Sequence, residues 1–274
     1  MDTKPDNKAI IEQGIKALSE QLQAGNSEAL TAYLSTMSRF HNYSFGNVMA
    51  IAMQRPDAVR VAGFHTWKSL GRNVKRGEKA IRILAPLIGK GKSEPSESEC
   101  SDGTRESASK PHVYGFRGVC VFDISQTEGK ELPAFSRVYG DAGDVKGKLL
   151  GFAAESGIVV EFVEDLGGAE GVSIGGMIRV LRGKPDAETV SVLSHELAHE
   201  ILHKQADRRD RSAKNRRELE AEAVAFIVGQ AIGLEVGTAS ADYIRLYDGN
   251  PETLSGSLEA ISRAAGLILE GIGL

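Results

Sequence analysis

The stretch His195-Glu196-Leu197-Ala198-His199, inside the run 190–203, decides how this chain is read. Residues four apart stack on one face of a helix, so both imidazoles reach a single ion. Glu196 lies beside that pair, placed to take a proton from a bound water. Pro185 and Asp186 supply a helix start, with Asp186 as its N-cap. Val190, Leu193, Leu197 and Ile201 recur at helical spacing and give the helix an apolar face. His195 and His199 fall off that stripe, on a face shared with Val192 and His203. His203 continues the spacing of four but sits too far along to share the ion, and reads as a neighbour of the site or a surface residue. The plainer alternative is a surface helix with incidental histidines.

Two histidines leave room for a third protein ligand and a water. The run 216–227 is the obvious supplier: Leu219, Ala223, Phe226 and Ile227 form a buried face, and Gly233 ends the helix. Glu218 and Glu222 are one turn apart and share a face, whereas Glu220 points elsewhere. Like charges beside apolar residues cost stability unless a cation offsets them. A divalent metal and an imidazole N–H would do so, with Glu218 as ligand and Glu222 as the partner that orients a histidine. An ordinary acidic helix face paired with Arg216 and Arg217 is the alternative, and the residues leave open which glutamate is the ligand. Zinc is the expected cofactor; manganese or cobalt suits the same donors.

The 274 residues suffice for one large domain or two modest ones, and 41% hydrophobic with 26% charged residues is the composition of a soluble globular protein. No apolar run approaches a membrane span and the N-terminus does not read as a signal peptide, so no membrane partner is expected. Cys100 and Cys120 build neither a disulfide framework nor a cysteine metal site, which makes the cytoplasm the expected compartment. The net charge of −4 is unevenly spread: the segment 34–90 carries ten basic residues against Asp57 and Glu78.

In that basic half, 6–22 and 27–39 read as amphipathic helices, with Ser27 as a cap. A third helix, 45–54, is stopped by Pro56, and a helical turn at 66–70 is closed by Gly71. A basic turn, 74–79, leads into a strand at 80–86, and a second strand follows at 113–122. The polar segment 89–111 reads as a disordered hairpin loop. Phe40, Tyr43, Phe45, Phe64 and Trp67 are threaded among the basic residues. Aromatic faces stack on unpaired bases and Lys/Arg groups neutralise phosphates, a combination that binds single strands. The alternative is a packed small domain whose aromatics are core.

Beyond a polar connection at 123–137, the segment 144–155 reads as a helix. Strands at 157–165 and 172–181 follow, with Gly167-Gly168 at the turn between them. Gly175-Gly176 marks a close backbone approach or a bulge, and a strand edge beside the metal helix would hold an extended peptide. The segments 240–247 and 252–272 read as closing helices; Tyr243 or Tyr247 is a candidate oxyanion donor.

The pattern His195-Glu196-x-x-His199, then Glu218-x-x-Ala221-Glu222-Ala223-x-x-Phe226, resembles the gluzincin-type domains of ImmA/IrrE-like peptidases. It is still more similar to the peptidase half of ArdC-type antirestriction proteins. Tyr43-x-x-x-Asn47, Trp67 and the run 74–79 likewise resemble the single-stranded-DNA-binding domain of ArdC-type proteins. The resemblance implies Glu218 as third ligand, and Tyr43, Asn47, Trp67, Lys75, Arg76 and Lys79 as DNA-binding residues. It also implies an antirestriction role on a mobile element.

The expected fold is α+β in two domains. A small helical and β-hairpin nucleic-acid-binding domain, 1–127, would join through a linker, 128–138, to a zincin-like metallopeptidase domain, 139–274. The latter would combine a small sheet with the histidine helix and the glutamate helix. The expected function is a zinc-dependent metallopeptidase, an endopeptidase acting on a protein or peptide, coupled to single-stranded DNA binding. His195, His199 and Glu218 would be ligands and Glu196 the catalytic base. Two rivals stand beside it: a protein that coats and protects single-stranded DNA around a structural metal, and a regulatory peptidase that cleaves a repressor without touching DNA.

Overall fold

A computed structural model describes residues 7–89, 112–131, 142–204, 211–234 and 250–274. The chain is α+β. Three helices open it, α1 (Asn7–Gln23), α2 (Glu28–Arg39) and α3 (Phe45–Gln54). Short elements follow: β1 (Val61–Gly63), α4 (Phe64–Ser69) and β2 (Arg72–Val74). A long hairpin, β3 (Ile81–Gly89) with β4 (His112–Asp123), then leads through a 3-10 turn to β5 (Thr127–Gly129). The second half runs α5 (Ala142–Glu155), β6 (Val159–Val163), β7 (Gly171–Ser173), β8 (Met177–Leu181), α6 (Asp186–His203), α7 (Arg211–Ala231) and α8 (Pro251–Gly271). The loop expected at 89–111, most of the expected linker, and the segment carrying Tyr243 and Tyr247 lie outside the described residues.

The N-terminal sheet has the order β1-β4-β3, and both pairings are antiparallel. The outer edge of β3 is not left bare. Asn47 and Gln54, two turns apart on α3, each exchange two hydrogen bonds with the strand backbone. Asn47 Nδ2 donates to the Leu84 carbonyl and the Leu84 N–H donates to Asn47 Oδ1, both at 2.8 Å. Gln54 does the same with Arg82 at 2.9 Å. The two amides act as a substitute strand and close an edge that would otherwise pair with another chain. Two helix starts differ from expectation. Ser27 makes no capping bond; Asn26 Oδ1 instead accepts the Glu28 N–H at 3.1 Å. Asp186 is the first residue of α6 rather than its cap, and its carboxylate pairs with Lys146 on α5.

The stretch 123–129 is structured rather than a free connection. Asp123 and Gln126 form a capping box, and β5 pairs antiparallel with β2. The expected strand at 172–181 is in fact a hairpin: β7 and β8 flank a turn in which Gly175 and Gly176 take φ of 79° and 88°. Such positive values suit glycine, which has no Cβ to clash. In this second sheet, ordered β6-β8-β7, β6 runs parallel to β8 and β7 antiparallel to it, leaving β7 at an edge beside α6. The two halves share one continuous apolar core, in which α2 packs on α7 while α1 and α3 pack on α8.

Candidate metal centre and nucleic-acid face

α6 buries Val190, Leu193, Leu197 and Ala198 and turns His195 and His199 toward a cavity of about 510 Å³. The two Nε2 atoms lie 3.1 Å apart. α7 brings Glu218 to the same point, one carboxylate oxygen lying 3.6 Å from His195 Nε2 and 3.5 Å from His199 Nε2. A tetrahedral ion with bonds of about 2.05 Å holds its ligands about 3.3 Å apart, so the three donors stand at ligand spacing. Contact with His195, then with His199, holds the Glu218 carboxyl well below the ordinary range. The remaining signature glutamate, Glu222, is exposed one turn along α7 and is not part of the described cavity lining.

Glu196 sits in the cavity wall. Burial pushes its carboxyl upward, and the positive fields of His195 and His199 and a hydrogen bond from the Ser173 N–H pull it only partly back. β7 approaches so closely that a Cβ on Gly171 would lie 2.6 Å from Val192 and 2.8 Å from Glu196 Oε1. Glycine at 171 is therefore what lets the edge strand touch the helix.

Glu200, which the sequence reading passed over, fixes that strand. Its buried carboxylate accepts the Ser173 hydroxyl at 2.5 Å, the Gly175 N–H at 2.8 Å and the Gly176 N–H at 2.6 Å. Burial alone would raise this carboxyl; the bonds outweigh it and the net effect is downward. The signal was available, because Glu200 falls on the apolar stripe seven residues after Leu193, where an acid survives only with partners. His203 is also built in. Its ring lies 3.4 Å from Glu220 Oε2, and Glu220 in turn accepts the Ser257 hydroxyl. Burial first, then repulsion from His199 and Arg217, lowers His203 to about 4, so its ring is neutral.

The DNA-binding candidates divide. Trp67 is fully buried and its Nε1 donates to the Phe122 carbonyl at 2.8 Å. Asn47 is spent on the edge of β3. Tyr43 is half-buried against Phe40, ring centroids 5.9 Å apart. The first two cannot meet a base, and the third offers little face: a chain this size needs its largest rings inside, which composition alone did not distinguish. Lys75, Arg76 and Lys79 are exposed together on the 74–79 turn. Gln126 holds that turn by donating to Glu78 Oε2 at 2.9 Å and to the Lys79 carbonyl at 2.7 Å. Among the described residues, the exposed phenyl and phenol rings are Phe64, Tyr114 and Phe116.

Residues 8–122 match the family described as the N-terminal domain of anti-restriction factor ArdC. The chain is 25% identical over 306 aligned residues to an uncharacterised protein of Bacillus anthracis, an alignment covering 95% of this chain and 49% of that protein. It thus spans about half the length of that relative. The metal-free crystal structure of antirestriction ArdC protein from the R388 plasmid is similar at TM-score 0.51 and 20% identity, over 84% of this chain and 85% of that one. The Mn(II)-bound structure of that plasmid protein is similar over 88% of this chain and 98% of that one, at TM-score 0.49 and 18% identity.

Proposed function

We propose, from the match of residues 8–122 to the N-terminal domain of anti-restriction factor ArdC, that this chain is an ArdC-type protein: a metal-dependent peptidase coupled to single-stranded DNA binding, with an antirestriction role. The observation that carries the peptidase reading is the convergence of His195, His199 and Glu218 beside a buried carboxylate, Glu196, in one cavity flanked by a strand edge.

His195, His199 and Glu218 would hold a divalent metal, zinc by preference for two imidazoles and a carboxylate, with manganese or cobalt accepted. Such an ion, when bound, supplies Lewis acidity at the scissile carbonyl and makes a neighbouring water more acidic. Glu196 is the proton carrier: its raised carboxyl takes a proton from the attacking water and delivers it to the leaving amine nitrogen. The Ser173 N–H steadies the ionised form, and the space left by Gly171 lets Glu196 stand against β7. Glu200 fixes the β7–β8 turn, so the base and a peptide lying along β7 keep their register. Glu222 remains a proposed partner for orienting an imidazole, and the described contacts add Glu220 at His203.

The single-strand reading rests on Lys75, Arg76 and Lys79, presented on a turn that Gln126 braces. Stacking falls to the exposed rings of Phe64, Tyr114 and Phe116 instead of Trp67 and Tyr43. The test is Glu196→Gln. The variant retains metal by elemental analysis and loses peptide hydrolysis, while single-strand binding is unchanged. Undiminished hydrolysis in that variant would remove Glu196 as base. DNA protection that survives in it, from a wild-type protein that hydrolyses nothing, would favour the coating role.

A further inference from the structure

Peptide hydrolysis builds negative charge on the scissile carbonyl oxygen, and a donor positioned at that oxygen lowers the barrier. Besides His195 and His199, the side chains of the cavity lining that can donate are Ser173, His203, Lys214 and Arg217. We infer that the Lys214 ammonium is the donor, a catalytic residue that stabilises the carbonyl oxygen as it gains charge. This inference rests on the peptidase reading.

The other donors are committed. The Ser173 hydroxyl is given to Glu200 at 2.5 Å. His203 has its Nε2 buried, 3.4 Å from Glu220 Oε2, and its ring is hydrogen-bonded to the Arg217 backbone. Arg217 has an interaction of its own. Lys214 is exposed, and among the described residues no hydrogen bond or ion pair claims its ammonium. It stands one turn before Glu218 on α7, on the same face, with about 6 Å of axial rise between them. Its four-carbon stem can span such a distance. Glu218 does not draw it in. A lysine four residues ahead of a glutamate is the weaker orientation of that pair, and the Glu218 carboxylate already lies 3.6 and 3.5 Å from the two imidazoles. The β7 side of the cavity offers no competing acid, since Ala169, Gly171, Val172 and Ser173 are uncharged. Base and ammonium thus come from different helices, Glu196 from α6 and Lys214 from α7, and line one cavity with the Glu218 cluster.

In the first step the water oxygen bonds to the carbonyl carbon, the π pair moves onto the carbonyl oxygen, and Glu196 takes the water proton. In the second the pair returns as the C–N bond breaks, and Glu196 delivers its proton to the leaving nitrogen. Lys214 donates a charge-assisted hydrogen bond to the oxygen throughout and transfers no proton.

Lys214→Ala tests this at an exposed helical position that alanine suits. With a quenched fluorogenic peptide and the metal-loaded full chain, kcat should fall about 100-fold while KM stays within about twofold. Lys214→Arg should recover part of the loss and Lys214→Gln none. Binding supplies a readout apart from turnover. A phosphinic peptide, whose tetrahedral anion mimics the charged oxygen, should bind Lys214→Ala about 100-fold more weakly than wild type. The parent peptide should bind Glu196→Gln equally well with and without Lys214→Ala, and elemental analysis should find the metal retained in every variant. A rise in KM alone, or equal weakening of both ligands, makes Lys214 an anchor for the bound substrate and overturns the inference. Unchanged kcat in Lys214→Ala, with the loss found instead in Tyr243→Phe or Tyr247→Phe, assigns the oxygen to those residues; it overturns the inference and leaves the peptidase reading standing. Loss of metal with Lys214→Ala makes the lysine a structural support and overturns it too. A metal-loaded wild type that hydrolyses no peptide overturns both.

Discussion

The α6–α7 cavity and the 74–79 turn carry their chemistry in opposite ways. In the cavity, the chemistry is set against neighbouring groups of the fold: Glu196 is buried and bonded to Ser173, and the half-exposed Glu218 lies against two imidazoles. At the turn, the cations stand out in solvent and the fold is spent on the backbone beneath them, through Gln126. The difference teaches where substitutions should act locally on chemistry and where they should act through stability. The largest expected effect is at the cavity. His195→Ala or His199→Ala should abolish metal retention outright, read by elemental analysis after dialysis; a variant that keeps a full equivalent would break the comparison at its root.

Next in size is Trp67→Ala. Loss of a fully buried ring and its bond to Phe122 should cost about 3–5 kcal/mol in urea unfolding. Single-strand affinity of the folded protein should be unaltered, because the ring faces the core. Loss of affinity without loss of stability would return Trp67 to the binding face. Gly171→Ala sharpens the other side. The added methyl must displace Glu196 or Val192, so hydrolysis should fall about 10- to 100-fold with metal retained. Unchanged kinetics would show that Glu196 can stand elsewhere.

These outcomes bear on what the residues disclosed before any coordinates. The helix period sufficed to bring His195 and His199 together, because spacing along one helix is fixed locally. It also placed Leu219, Ala223, Phe226 and Ile227 inside, as found. The α3 range and the β3–β4 hairpin were legible for the same reason. Long-range partnerships were not. Nothing in the local pattern told that Glu200 would capture the turn at Gly175 and Gly176, or that this turn would split the strand expected at 172–181. Trp67 and Asn47 failed as DNA contacts because burial depends on what packs above them, α4 on β4 and α3 on β3, and single-residue chemistry is blind to that.

Asp123 offers a smaller test, through pH. It is buried; burial raises its carboxyl, but the Ser125 hydroxyl and the N–H groups of Arg60, Ser125 and Val59 together carry it below its ordinary value. The ionised form therefore favours the fold. That contribution is complete above the unfolded value of about 3.9 and is lost as pH falls through the lower folded value. Asp123→Asn should cost about 1–3 kcal/mol at neutral pH and flatten the acid limb of the stability profile below about pH 4. A variant as stable as wild type at pH 7 would mean that the cap holding β1 to β4 does not depend on this charge.

The smallest effect, and the most diagnostic of the turn, is in salt dependence. Lys75, Arg76 and Lys79 are exposed, so removing their charge leaves the core and the cavity untouched. Each phosphate contact on a single strand adds about 0.7 to the slope of log affinity against log salt. Lys75→Gln, Arg76→Gln and Lys79→Gln together should therefore lower the slope by about 2 if all three meet phosphates. Lys75 Nζ also donates to the Ser125 carbonyl at 2.9 Å, so a smaller drop would single it out as a brace rather than a contact. A slope identical to wild type, with affinity intact, would move the nucleic-acid face away from this turn. Binding would then fall to the neighbourhood of Phe64, Tyr114 and Phe116, where stacking rather than charge would have to supply it.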